Sequence, residues 1–294
     1  MPQHKLFLPH HASLVATLLA LTLGTAARAD TITVRSDYWF PYNGEPGSPQ
    51  EGYMIDLLRL AAASRGDTVD YRLMDWELAL QRSLSGTVDC VVGAIASDAP
   101  DHLRTRTPWG SSQNVVYGRA GDADVLDEVT SAIGSAPLPS HRDVAHDRDG
   151  QAISLNGVAD LKPLRIGVVQ DYSYGDAIDA VLADDGAQVS RVEASRRAFP
   201  LLVMKLVTKK IDVLIEDENV AAASLKEMGL SARVIPISSN LTEADDLFVA
   251  CTPNERGGKL IAAFDSTLEQ ARASGELAKL LVRYGLEDWA PITP

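Results

Sequence analysis

Aromatic rings and carboxylates, rather than nucleophiles, are the chemically able side chains that cluster in this 294-residue sequence. Tyr38-Trp39-Phe40-Pro41-Tyr42 sets four rings within five residues, and Trp76 follows an aspartate further on. Such rings give a cationic or aliphatic ligand an apolar, electron-rich face. Glu216-Asp217-Glu218 places three carboxylates directly after an apolar run. A carboxylate at a strand end, facing a low-dielectric cleft, pairs strongly with a cation once water is removed. Asp171-Tyr172-Ser173-Tyr174 stands where a helix is expected to open, and the free N–H groups of a first turn suit a carboxylate, with the Ser173 hydroxyl as a further donor. A plain capping role explains Ser173 equally well. No nucleophile motif is present, and beyond residue 29 the histidines are His102, His141 and His146. This inventory points to binding rather than catalysis.

The elements that must position these groups alternate between strand and helix. Residues 31–36 alternate apolar and polar, Gly52-Tyr53-Met54-Ile55-Asp56-Leu57-Leu58 opens a helix, and 69–74 alternate again. Asp75 precedes Trp76-Glu77-Leu78-Ala79-Leu80 as an N-cap, and Gly86 sits at the matching stop. Cys90-Val91-Val92-Gly93-Ala94 is the third strand. The second half repeats the logic, with strands expected at 164–169, 188–193 and 211–215 and helices at 173–182 and 199–207. Strand-helix alternation builds mainly parallel sheets flanked by helices, with ligands beyond the carboxyl ends of the strands. The loops after Ser36, Met74 and Ala94 are therefore the place to look.

Residues 1–29 read as a secretory leader. Lys5 supplies the positive region, 12–23 the uncharged apolar run, and Ala27-Arg28-Ala29 the cleavage site before Asp30. The run is shorter than the ~20 residues that span a bilayer. No twin arginine precedes it and no cysteine lies near the cleavage site, so the expected product is soluble and periplasmic. Cleavage takes away Lys5 and Arg28 and no acid, which moves the formal net charge from −13 to −15. That acidity disfavours nucleic acid and anionic membrane surfaces as partners and reads as solubility.

Gly52-Tyr53-Met54-Ile55-Asp56-Leu57, Asp75-Trp76-Glu77-Leu78-Ala79-Leu80 and Gly86-Thr87-Val88-Asp89-Cys90-Val91-Val92-Gly93 resemble the bacterial extracellular solute-binding proteins of family 3, the polar amino-acid receptors of ABC importers. The likeness continues through 161–168, 210–215 and the closing 283–289. It implies an α/β, two-lobed type II periplasmic-binding-protein fold, each lobe a mainly parallel sheet flanked by helices, joined by a two-segment hinge. Lobe 1 is expected at 30–111 and 246–294 and lobe 2 at 112–245, with crossings near 110–114 and 244–247. Hinge closure over a small-molecule ligand is then the working motion.

The resemblance places Trp76 at the position that stacks on the ligand and Asp217 at the one that binds its ammonium. Glu216 and Glu218 read as surface charges. Tyr38, Trp39 and Tyr42 stand equally as ligand groups or as packing, Ser173 and Tyr174 open the opposing helix, and Phe40 reads as core. After the third strand the family carries hydroxyl residues and then an arginine that clamps the ligand α-carboxylate. Here Gly93 and Ala94 lead into Ile95-Ala96-Ser97-Asp98-Ala99-Pro100-Asp101, with Asp101 at the arginine position. A carboxylate cannot replace a guanidinium fork, so Arg104, or Arg106, is the remaining candidate. The expected ligand is small, polar and amine-bearing, an amino acid or related compound; one with an amine and aromatic or hydroxyl character, or one with no α-carboxylate, fits this pattern. In the resembling fold Cys90 and Cys251 come out nearly level on adjacent strands; buried thiols are favoured over a bridge there. Residues 135–150, with two prolines and no periodicity, read as a surface excursion, and His141 to Asp147 fits no compact zinc pattern. No metal or cofactor is expected. The expected molecule is a monomeric, non-enzymatic receptor docking on the permease of an ABC importer, or on a membrane sensor. The alternative is an enzyme similar to the cyclohexadienyl dehydratases, using Asp217 or Glu216 as general acid.

Overall fold

A computed structural model describes residues 29–121, 144–238 and 241–290. The leader expected at 1–29 lies almost wholly outside these residues, as does most of the excursion, including His141.

Strands and helices alternate as the periodicity requires: β1 (Thr31–Ser36), α1 (Tyr53–Ala63), β2 (Thr68–Leu73), α2 (Trp76–Leu84), β3 (Cys90–Ala94), β4 (Leu103–Arg104) and β5 (Gly110–Ser112). β1 buries Ile32, Val34 and Ser36 on alternate positions, and α1 buries Met54, Ile55, Leu57, Leu58 and Ala61 on one face. Asp75 caps α2 by accepting the Leu78 N–H at 3.0 Å. The chain continues through β6 (Asn114–Ala120), β7 (Ala145–His146), β8 (Arg165–Val169), α3 (Asp176–Leu182), β9 (Gln188–Val192), α4 (Ala198–Val207), β10 (Val213–Asp217), α5 (Glu218–Met228) and β11 (Val234–Ser238). It returns as β12 (Asp245–Cys251), α6 (Glu255–Ala273) and α7 (Glu276–Arg283).

These strands form two sheets, one per lobe. The first runs β2-β1-β3-β12-β4, with β5 on β12, and the second runs β11-β6-β10-β8-β9, with β7 on β6. β1 pairs in parallel with β2 and β3, and β8 in parallel with β9 and β10, while β6 and β12 run antiparallel to their neighbours. The first lobe packs α1, α6 and α7 against one face, around Met54, Leu57, Phe264 and Leu281. α2 covers the other face through Ala79, Val91, Ala94, Ala99 and Ala250. Two further cores, around Leu202 and around Ile178, flank the second sheet. The chain leaves the first sheet at Ser112 and enters the second at Asn114; it returns between Ser238 and Asp245.

Three local expectations are corrected. The strand expected at 211–215 runs over Val213–Asp217, because Asp212 is held at the near end of the sheet by Arg165 at 2.7 Å. The shift puts Glu216 and Asp217 inside a wholly buried strand. The helix expected from 173 begins at Asp176, because Gly175 at φ 88° breaks the turn before it. Within the described part of the excursion, β7 pairs Arg119 with His146, so that segment adds an edge to the second sheet.

Cys90 and Cys251 are bonded to each other, which overturns the expectation of free thiols. β3 and β12 are antiparallel and pair these residues directly, with a Cα separation of 4.0 Å and both side chains fully buried. Direct cross-strand opposition brings the side chains closest at such positions.

Candidate functional site

A cleft lies between the sheets, at the carboxyl ends of β1, β3 and β10. The first lobe contributes Asp37, Trp39 and Asn43 after β1, Trp76 at the start of α2, Val92 and Gly93 from β3, and Ile95 and Asp98 just beyond it. The second contributes Asn114, Tyr172, Ser173 and Glu216, and the crossings contribute Ser112, Asp245 and Leu247. Every charged residue in this lining is acidic.

Several bonds run from lobe to lobe. The Tyr172 hydroxyl donates to the Asp37 carboxyl. The Trp39 indole N–H donates to Oε1 of Glu216 at 3.2 Å, the same oxygen that takes the Asp217 N–H at 3.0 Å. Trp39 is held for this by stacking on Tyr42, with ring centroids 4.4 Å apart. Burial raises the Asp37 carboxyl to about 6 despite the Tyr172 bond, and raises Glu216 to about 8, with the Asp217 charge adding to the effect. Asp98 is also pushed up to about 6 by burial, and Asp245 is raised by burial and the neighbouring Asp246. The lining thus holds carboxyls that lack a cation and ionise reluctantly.

Asn43 has one amide face unused. Its Nδ2 donates to Ser36 Oγ and to the Asp37 carbonyl, each at 2.8 Å, while its buried Oδ1 has no partner. Gly93, at φ 85°, stands opposite; a Cβ there would approach Oδ1 to 3.2 Å.

Of the residues singled out in the sequence, Trp39, Trp76, Gly93 and Ser173 line the cleft. Asp217 does not. Its fully buried carboxylate is surrounded by five donors: the Ser112 hydroxyl at 2.9 Å, the Tyr42 hydroxyl at 3.1 Å, and the N–H groups of Gln113, Asn219 and Val220 at 3.2, 2.9 and 3.0 Å. It caps α5 and fastens the first crossing. Burial still raises it to about 6. Tyr42 is buried behind Trp39, with its hydroxyl 2.8 Å from the Ser111 carbonyl. Tyr38 lies under the Arg196 guanidinium at 5.9 Å, outside the lining. Ala94 is core.

Tyr174 is core as well, its hydroxyl accepting the Val169 N–H at 2.8 Å. Two donors of the turn that carries it are engaged within the second lobe, because Asp179 takes the Ser173 hydroxyl at 2.7 Å and the Tyr174 N–H at 3.0 Å. Arg104 is spent on the loop after β3, donating to the carbonyls of Ala96 and Ala99 at 2.8 Å. Arg106 pairs with Asp265 of α6 at 3.1 Å. Neither arginine lines the cleft.

Sequence reasoning missed Asp37, Asn43, Asp98, Tyr172 and Asp245 as lining residues, and read Glu216 as a surface charge, or as a cleft acid only in the enzyme alternative. Asp37 was within reach: it is the first residue beyond β1, where such sheets bind ligands. Glu216 had no usable signal, because a strand buried on both faces lacks the alternation that tells its sides apart.

Residues 31–287 match the bacterial extracellular solute-binding proteins, family 3, and the chain belongs to that family. No curated protein matches it in sequence. Among solved structures it is similar to an ancestral arginine-binding protein bound to arginine, with 17% identity, TM-score 0.64, and coverage of 86% of this chain and 97% of that one. It is equally similar in fold to a histidine kinase sensor domain with similarity to periplasmic binding proteins, with 19% identity, TM-score 0.64, and coverage of 89% and 99%. An ancestral amino-acid-binding protein, described as a precursor of cyclohexadienyl dehydratase, matches at 15% identity, TM-score 0.59, with coverage of 86% and 95%. At these identities the structural likenesses speak for the fold.

Proposed function

We propose that this family 3 chain is a periplasmic, monomeric receptor that closes its two lobes on a small ammonium-bearing ligand, without clamping an α-carboxylate, and delivers it to an ABC importer. The observation that carries this reading is the charge of the lining: Asp37, Asp98, Glu216 and Asp245, with no Arg, Lys or His among the described residues that face the cleft. An ammonium 4 Å from one carboxylate gains about 4 kcal/mol at an effective dielectric near 20, and a ligand carboxylate in the same place loses a similar amount. The indoles of Trp39 and Trp76 add apolar, electron-rich surface suited to a cation. The bonds Trp39–Glu216 and Tyr172–Asp37 would form as the lobes meet, so closure about the crossings near 110–114 and 244–247 completes the site.

A second reading rests on Glu216. A carboxyl raised to about 8 is protonated at neutral pH, the state a general acid in a dehydration needs. The carboxylate of a cyclohexadienyl acid finds no cation in this lining, which ranks the enzyme second. Docking on a membrane sensor instead of a permease uses the same cleft and is decided by the genes beside this one.

Calorimetric titration with amino acids and their decarboxylated amines, in matched pairs, tests the first reading. The amine of a pair binds as well as the amino acid or better. An amino acid that binds a hundredfold tighter than its amine would show a carboxylate clamp and overturn the reading.

A further inference from the structure

Asn43 lines the cleft yet is only 1% exposed, and its amide can point only one way. The Asp37 carbonyl, which accepts and cannot donate, takes Nδ2 at 2.8 Å. The Ser36 hydroxyl directs its own proton to the Val92 carbonyl at 3.2 Å or the Asp37 carboxyl at 3.4 Å, so it too meets Nδ2 as an acceptor. Turning the amide over would set Oδ1 against both. Oδ1 is therefore a buried acceptor with no partner among the described residues, a state that costs free energy until something donates to it.

The space beside this oxygen is kept clear. Gly93 also lines the cleft, and a Cβ added there would lie 3.2 Å from Oδ1 and 3.8 Å from Cε3 of Trp39. The Trp39 indole runs from this point to an acid: its Cε3 edge faces Gly93, and its Nε1 donates to Oε1 of Glu216 at 3.2 Å. Both hydrogen bonds that Glu216 accepts fall on Oε1, so Oε2 is the oxygen left for a ligand. One ring face thus connects an unpartnered amide oxygen with a carboxyl.

We propose that Asn43 is a specificity-determining residue whose Oδ1 accepts an N–H of the bound ammonium, so that the cleft selects a cation bearing N–H groups and rejects a quaternary one. This deepens the amine reading given above and rests on it. The acids and indole faces attract any organic cation, quaternary ammonium included, and do not by themselves discriminate. Asn43 does: a quaternary head brings charge but no donor, and it covers Oδ1 without pairing it. A site built around a hydrogen bond rejects the analogue that cannot make it, because its own buried polar group is left unpaired. Gly93 serves the same choice by leaving the approach to Oδ1 free of a side chain.

Calorimetric titration with 1-aminopentane, N,N-dimethyl-1-aminopentane and pentyltrimethylammonium tests this. All are singly charged at neutral pH, and the last two differ by one methyl in bulk but by the presence of an N–H. The two N–H-bearing cations are expected to bind about tenfold tighter than the quaternary one, or more, the scale of one charge-assisted hydrogen bond. Asn43→Ala is expected to narrow the gap between the dimethyl and trimethyl probes to less than about threefold, since that hydrogen bond is lost for one probe and absent for the other. Circular dichroism checks the fold, because Nδ2 also ties Ser36 to Asp37. Gly93→Ala, which fills the approach to Oδ1, is the second variant and carries the same expectation. Equal binding of the dimethyl and trimethyl probes to the wild type, or a gap unchanged in a folded variant, overturns the role of Asn43 and leaves the amine reading standing. Failure of all three probes to bind overturns both.

Discussion

The Trp39 indole of the first lobe donates its N–H to the Glu216 carboxyl of the second, 3.2 Å away and 177 residues along the chain. This bond joins a ring face and a carboxylate that both line the cleft, one from each lobe. Glu216→Gln keeps an oxygen to accept the indole N–H but removes the charge. We expect the closed shape to persist, read by small-angle scattering, while affinity for an amine ligand falls more than tenfold in calorimetry. Wild-type affinity in this variant would remove Glu216 from the site.

Affinity should rise with pH. Glu216 is pushed from 4.5 to about 8, and Asp37 and Asp98 from 3.8 to about 6, chiefly by burial, so the empty site holds protons that the unfolded chain has released. Stability rises with pH where the unfolded state binds more protons; here the native state binds more, so the empty protein loses stability as pH climbs from about 4 to 8. A cationic ligand favours the ionised carboxylates and expels those protons. Melting temperature without ligand should fall between pH 5 and 8.5, and amine affinity should increase over pH 6 to 8. Titrations in two buffers of different ionisation enthalpy should report proton release, and proton uptake would contradict this picture.

Asp217 should act on stability before binding. Replacing an N-cap aspartate costs about 0.5–2 kcal/mol, and each buried donor left without its acceptor costs about 1–3 kcal/mol more. Asp217→Ala strips an acceptor from Ser112, Gln113, Asn219 and Val220 at once. Urea denaturation should show a loss of at least about 2 kcal/mol. A variant of full stability with abolished binding would restore Asp217 as a ligand group.

Arg104→Ala should leave affinity for any amine or amino acid within twofold, because Arg104 is engaged with Ala96, Ala99 and the Phe248 ring and does not line the cleft. Calorimetry against the wild type measures it, and a tenfold loss confined to carboxylate-bearing ligands would assign Arg104 the clamp.

The disulfide should stabilise the first lobe. Cys90 and Cys251 are 161 residues apart, and a cross-link over so long a loop restricts the unfolded chain; loss of a native bridge typically costs about 2–5 kcal/mol. No thiol should react in the native oxidised protein, and reduction should lower the urea midpoint. One free thiol per cysteine in exported protein would refute the pairing.

Much of the fold was legible along the chain because it depends on local patterns. The buried Ile32 and Val34 of β1 follow a period of two, the Met54, Leu57 and Leu58 face of α1 follows the helical period, and Asp75 caps α2 as its position before Trp76 implies. The resemblance placed Asp101 where an arginine was expected, and the structure keeps Arg104 and Arg106 out of the cleft lining. Which carboxylate faces the ligand was a different kind of question. Glu216 and Asp217 are adjacent in a strand with no exposed position, and their roles are separated by what other elements bring to each: Ser112, Tyr42 and the first turn of α5 close over Asp217, while Trp39 and a backbone N–H donate to Glu216. Asp98 and Asp245, 147 residues apart, line one cleft through the pairing of β12 with β3 and β5. Periodicity records whether a side chain is buried; the partners it meets there are set by long-range packing, and these decided the chemistry of the cleft.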